Sequence, residues 1–142
     1  MKREDLNFIL QKASLNELEE LFNKIKKNVH IKTLQPPVQQ TLLQPVYDPI
    51  SEGEFYIGEI LVTTTIVQIQ IQNNTTYKGW AMVMDDNEKL SFYIAICDAC
   101  YGADLFKKEI EELAFKILEK TEKTQKILNK KINSTRVNFD LM

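Results

Sequence analysis

The chain has 142 residues, 44% hydrophobic and 27% charged, which is the profile of one ordinary globular domain and not of a disordered chain. Its net charge of −2 lacks the basic footprint of a nucleic-acid binder. With 4 Gly, 4 Pro and 2 Cys, it is neither collagen-like, low-complexity nor a disulfide scaffold.

The opening Met1-Lys2-Arg3-Glu4-Asp5 turns acidic with no apolar run behind it, unlike a signal peptide. The most apolar stretch, Ile57 to Ile71, is broken by Glu59, Gln68, Gln70 and several Thr, so it does not read as a membrane span. The expectation is a cytoplasmic protein with no membrane or nucleic-acid partner. In that compartment the Asn-x-Ser/Thr matches at Asn74 and Asn133 are chance.

The first third reads as a helical hairpin. A short helix carries Leu6, Ile9 and Leu10. Ser14 with Glu17 forms the pattern of a capping box, and Leu15, Leu18, Leu21, Phe22 and Ile25 follow on one helical face. Lys24, Lys26 and Lys27 suit the negative end of that helix. Gln35-Pro36-Pro37 then excludes helix. A short strand fits Val38 to Val46, which Pro45 and Pro49 either confine to a sheet edge or end.

Phe55 to Gln72 is rich in β-branched residues and reads as a strand. Both parities carry apolar residues, with Val67 and Ile69 on one and Ile60, Val62 and Ile66 on the other. This predicts a strand covered on both faces. Asn73 to Thr76 supplies a turn, and Tyr77 to Met84 the returning strand. Asp85-Asp86-Asn87 then caps a helix from Glu88 to Tyr101. Gly102 is its expected stop, and Asp104 is the expected cap of a last helix whose face carries Phe106, Ile110, Leu113, Ile117 and Leu118. Glu119 to Lys131 is polar enough to be exposed or to await a partner. Arg136 to Met142 alternates like a short strand. The order of elements predicts one α+β domain, residues 1–142: an antiparallel β-sheet covered by helices, with an N-terminal helical hairpin and a long C-terminal helix.

No catalytic constellation emerges from spacing. The glycines form no phosphate-binding loop, and His30, the single histidine, has no Ser or Cys motif to serve. Cys97-Asp98-Ala99-Cys100 puts two thiols on one helical face, but a zinc site wants four ligands, and the apolar Ile94 to Cys97 favours inert burial. Asp85, Asp86 and Glu88 suit a cation or, more simply, a helix cap. Glu59 interrupts an apolar strand face, where a carboxylate is costly unless paired, and reads as an edge residue, a salt-bridge member or a functional acid. Trp80 and Phe92 read as core aromatics before interface anchors.

Three segments carry a family resemblance. Phe55-Tyr56-Ile57-Gly58-Glu59-Ile60-Leu61-Val62-Thr63 resembles the F-x-x-G-E-x-x-V-T signature of the PhnG subunit of carbon–phosphorus lyase. Gly79-Trp80-Ala81-Met82-Val83, followed by Ala95-Ile96-Cys97-Asp98-Ala99, resembles that family's G-Y-x-x-V and A-x-x-D-A stretch. Thr135 to Met142 is similar to its closing T-[RK]-V-[DN]-F-x-x-M. Met84 to Asn87, Leu90 to Phe92 and Thr64 depart from the common pattern.

The resemblance implies a small accessory subunit of a hetero-oligomer with PhnI-, PhnH-, PhnJ- and PhnL-type partners. That complex forms α-D-ribose 1-methylphosphonate 5-triphosphate, a phosphonate displacing adenine from ATP. ATP and phosphonate would be substrates of the complex. The chain itself would hold no cofactor, no metal and no catalytic residue. The family-signature residues it marks are Gly58, Glu59, Thr63, Asp98, Arg136, Phe139 and Met142. Gly58 would admit another backbone, Glu59 and Arg136 would pair within the chain or with a partner, and Phe139 and Met142 would pack inside or in an interface. The alternative is a diverged, non-catalytic interaction module outside phosphonate metabolism.

Overall fold

A computed structural model describes residues 1–71 and 74–134. Seven elements follow in order: α1 (Arg3–Leu10), α2 (Leu15–Ile25), β1 (His30–Asp48), β2 (Gly53–Gln70), β3 (Thr76–Met84), α3 (Glu88–Gly102) and α4 (Lys107–Ser134). The strands form one antiparallel sheet with β2 in the centre. This is the expected α+β class.

The molecule is layered around α3. Apolar residues surround this helix on every side: Leu90, Ile94, Ala95, Ile96, Cys97 and Cys100 are all buried. A helix of that kind belongs in the middle of a structure, not at its surface. One side of α3 lies on the sheet, against Val67, Ile69, Ala81 and Val83. The other side meets α1, α2 and the first half of α4 through Leu6, Leu10, Leu18, Ile25, Ile110 and Ala114. The capping box of α2 is formed, with the Ser14 side chain taking the Glu17 N–H and the Glu17 carboxylate taking the Ser14 N–H.

Beyond Thr121, α4 is exposed throughout its described length. No helix among the described residues is long and apolar enough to cross a membrane.

Four expectations need correction. The first strand is not the short Val38–Val46 segment but spans 19 residues, running through three prolines. It is an edge strand, so a missing N–H on its outer side costs nothing, and the register shifts near Gln35 and Pro45 absorb the rest. The expected cover on both faces of β2 holds at its middle, where Val62 and Thr64 are buried on the side away from α3, but does not extend across β3. Among the described residues α3 is the helix that lies across the sheet, with α1 touching the edge of β3, and Trp80, on the opposite face beside Ile66, is 45% exposed. Gly102 does not stop α3. It is the last helical residue with ordinary φ, and an added Cβ there would lie 2.8 Å from Arg3 Nη1, so its smallness makes room for an arginine. Asp104 precedes α4 with φ 54°, and its carboxylate holds Lys107 at 2.7 Å instead of the helix N-terminus; Phe106 also lies before the helix, with φ 52°.

Candidate functional site

The residues singled out in the sequence separate into two groups, one locked into the body and one standing clear of it.

Thr63 belongs to the first group. It is fully buried on the α3 side of β2, and its hydroxyl donates to the Asp85 carbonyl (2.6 Å) and accepts the Asn87 N–H (3.2 Å). The entry to α3 is therefore held by a hydroxyl from β2. Asn87 occupies the cap position without a side-chain cap bond, contrary to the expected role of the Asp85–Asn87 turn. Beside it, the buried Thr65 and Ser91 hydroxyls share a second bond between β2 and α3 (2.5 Å).

Asp98 also serves the body. Its carboxylate takes Arg3 Nε at 2.7 Å and Nη2 at 2.8 Å in a two-pronged, charge-assisted pair, and it accepts the Trp80 N–H at 3.0 Å. Arg3 donates in turn to the Lys78 carbonyl (2.8 Å). Two residues away along β3, the Asn7 side-chain amide donates to the Met82 carbonyl (2.7 Å) and accepts the Met82 N–H (3.1 Å). Side chains of α1 and α3 thus occupy the outer edge of β3 as a neighbouring strand would, which closes that edge to other chains. Sequence reasoning missed Arg3 and Asn7. Their partners lie 75 to 95 residues away, and no local pattern marks them.

Gly79 explains the spacing of the second familiar segment. A Cβ on it would fall 2.0 Å from the Ala95 carbonyl oxygen and 2.7 Å from Ala99 Cβ. Bare backbone on β3 and alanines four apart on α3 permit this approach.

The two thiols of the same helix are buried and free. Burial, with Cys100 and Asp98 nearby, pushes the Cys97 thiol well above its ordinary range, and burial pushes Cys100 up to about 12. Neither is a thiolate near neutral pH, so neither is poised for redox or metal chemistry. Among the described residues no three His, Cys, Asp or Glu side chains converge as metal ligands, and Asp85, Asp86 and Glu88 do not.

Gly58 and Glu59 form the second group. Beyond the end of β3, β1 and β2 continue as a two-stranded arm from the Thr41–Leu61 pair to a tip at Asp48–Gly53. None of residues 41–61 is buried. Leu42, Leu43, Phe55, Tyr56 and Ile57 are all roughly half exposed or more, with Tyr56 at 64%. The tip is well built: the Asp48 carboxylate accepts the Ile50 and Ser51 N–H groups and the Ser51 hydroxyl. Those bonds hold Asp48 below the ordinary carboxylate range, so it is ionised at neutral pH.

Glu59 faces Leu43 across the arm and has no ion pair among the described residues. The partner it was expected to need is not required, because the arm leaves it in water. Gly58 has nothing within 4 Å of an added Cβ and no positive φ. Among the described residues neither packing nor a turn requires glycine there. Arg136, Phe139 and Met142, with the terminal strand expected around them, lie outside the described residues. Phe92 is partly buried, edge-on to Phe22 at 6.0 Å, as expected of a core aromatic.

Comparison with curated proteins returns no match. The family model for phosphonate metabolism protein PhnG matches residues 1–142, the whole length of the chain, and the chain therefore belongs to the PhnG family.

Proposed function

We propose that this chain is a non-catalytic subunit of a cytoplasmic phosphonate-processing complex with PhnI-, PhnH-, PhnJ- and PhnL-type partners. In that complex a phosphonate displaces adenine from ribose C1 of ATP. ATP and phosphonate are substrates of the assembly, and the present chain contributes surface instead of reacting groups.

The observation that carries this reading is the split just described. Thr63, Gly79 and Asp98 are consumed in holding α3 to the sheet, whereas Gly58 and Glu59 stand on an exposed arm and meet no partner side chain among the described residues. A chain built in this way presents a surface. In a reaction where water competes with a phosphonate for the same ribose carbon, a subunit that closes a site against solvent raises the fraction of productive transfer.

The test measures adenine release and the ratio of ribose triphosphate to phosphonate-linked product, with the cognate partners, in the presence and absence of this chain. The expected result is a shift toward phosphonate transfer when the chain is present. An unchanged ratio overturns the reading.

A further inference from the structure

We infer that the β1–β2 arm is the docking element of this subunit, and that its occupant is an apolar groove, lined with basic side chains, on a different polypeptide. The inference rests on the subunit reading above and names the surface through which it operates.

A two-stranded ribbon without a supporting layer is only marginally stable in water. Here such a ribbon is nevertheless kept in register to a hydrogen-bonded tip, with large apolar side chains on both faces. An exposed apolar surface of this kind marks an interaction site. At roughly 25 Å long and about 10 Å across in each direction, the arm offers roughly 1,000 Å² of lateral surface. Burying most of it supplies the ~800 Å² per partner of a stable interface.

The edges of the sheet point to the same place. Asn7, Arg3 and Asp98 occupy the outer edge of β3, and Pro36, Pro37 and Pro45 interrupt the outer edge of β1. From Gly53 to Ile60 the outer edge of β2 has no neighbouring strand among the described residues and no proline. Gly58 lies in the middle of this stretch with open space around it. A partner's backbone or ring approaches closest there.

Charge selects the occupant. Residues 41–61 contain Asp48, Glu52, Glu54 and Glu59 and no Lys, Arg or His. Arm against arm, as in a symmetric homodimer, would set like charge against like, whereas a basic groove complements it.

The test co-expresses the tagged chain with its cognate Phn-type chains and compares three variants: Tyr56→Ser with Ile57→Ser, Gly58→Val, and Glu54→Lys with Glu59→Lys. All alter exposed positions, and Gly58→Val is expected to leave the isolated chain folded because a Cβ there has nothing within 4 Å and valine suits a strand. The expected result is capture of a partner by the wild type, weakened roughly tenfold or more by each variant, with unchanged circular dichroism of the isolated chains. Binding by the wild type weakens as salt is raised. Arm variants that capture with wild-type affinity overturn the inference and leave the subunit reading standing. A wild-type chain that captures nothing overturns both. A homodimer that the same variants dissolve overturns the assignment to a foreign chain.

Discussion

Two glycines in neighbouring strands are predicted to respond oppositely to the same substitution. In Gly79→Ala the new methyl group lies 2.0 Å from the Ala95 carbonyl oxygen, 2.5 Å from the Ala99 nitrogen and 2.7 Å from Ala99 Cβ. No rotamer change relieves this, because two obstacles are backbone atoms and the third is a Cβ fixed to it. Restoring an ordinary contact of about 3.5 Å moves β3 and α3 apart by about 1.5 Å, which forfeits much of the dispersion attraction across that interface. Because α3 lies along the sheet, the loss extends to Ala81, Val83 and Ala95, all buried in the same seam. Overpacking usually costs 1–3 kcal/mol, and this case belongs at the upper end, about 3 kcal/mol. For a chain of this size that lowers the melting temperature by about 10 °C. Gly58→Ala has no such obstacle and removes a glycine from a strand, so it is neutral or stabilising by roughly 0.5 kcal/mol. Urea unfolding followed by circular dichroism, with both variants and the wild type side by side, measures the difference. A Gly79→Ala loss below 1 kcal/mol, or one no larger than that of Gly58→Ala, would refute the close helix–strand approach.

Other consequences are as direct. Thr63→Val keeps the shape of the side chain but leaves the Asp85 carbonyl and Asn87 N–H without their hydroxyl, so it should cost about 1–3 kcal/mol, with Thr63→Ser recovering most of it. The Glu17 carboxyl is held down at about 2 by the Ser14 hydroxyl, by Lys116 of α4 at 2.9 Å and by the Ser14 N–H. The unfolded chain therefore binds this proton more tightly. The stabilisation is complete above about pH 4.5 and is lost as pH falls from there toward 2. Glu17→Gln should flatten this part of the stability profile by about 1 kcal/mol, a figure discounted for the mobile, exposed Lys116; an unaltered profile would refute the role. Cys97 and Cys100 should react with an aromatic disulfide reagent only on unfolding, and rapid reaction of the native protein would contradict their burial.

What the sequence revealed follows the range of the interactions involved. The helices announce themselves because their signals are local: Ser14 and Glu17 cap α2 within one turn, and Leu18, Leu21 and Ile25 repeat at helical spacing. The full length of β1 was hidden. Its prolines mask an edge strand, and its outer half has no buried face to impose alternation. The core strand residues of β2 were legible, but not that Trp80 sits on an open sheet face. That depends on α3 lying on the opposite side. The candidate site was less legible still. Gly58 and Gly79 look alike in a sequence, yet one is required by packing and the other touches nothing. Asp98 was visible as a motif residue, while its role depends on Arg3, 95 positions earlier. Glu59 seemed to demand a partner only on the assumption that its strand was buried.

The central claim, that this PhnG-family chain works as one subunit of a larger assembly, is tested most directly by co-expressing it with its cognate PhnI-type chain and determining the native mass of what co-purifies. The account predicts a stable hetero-oligomer containing both chains. A free, well-behaved monomer, with the partner left behind, would contradict it.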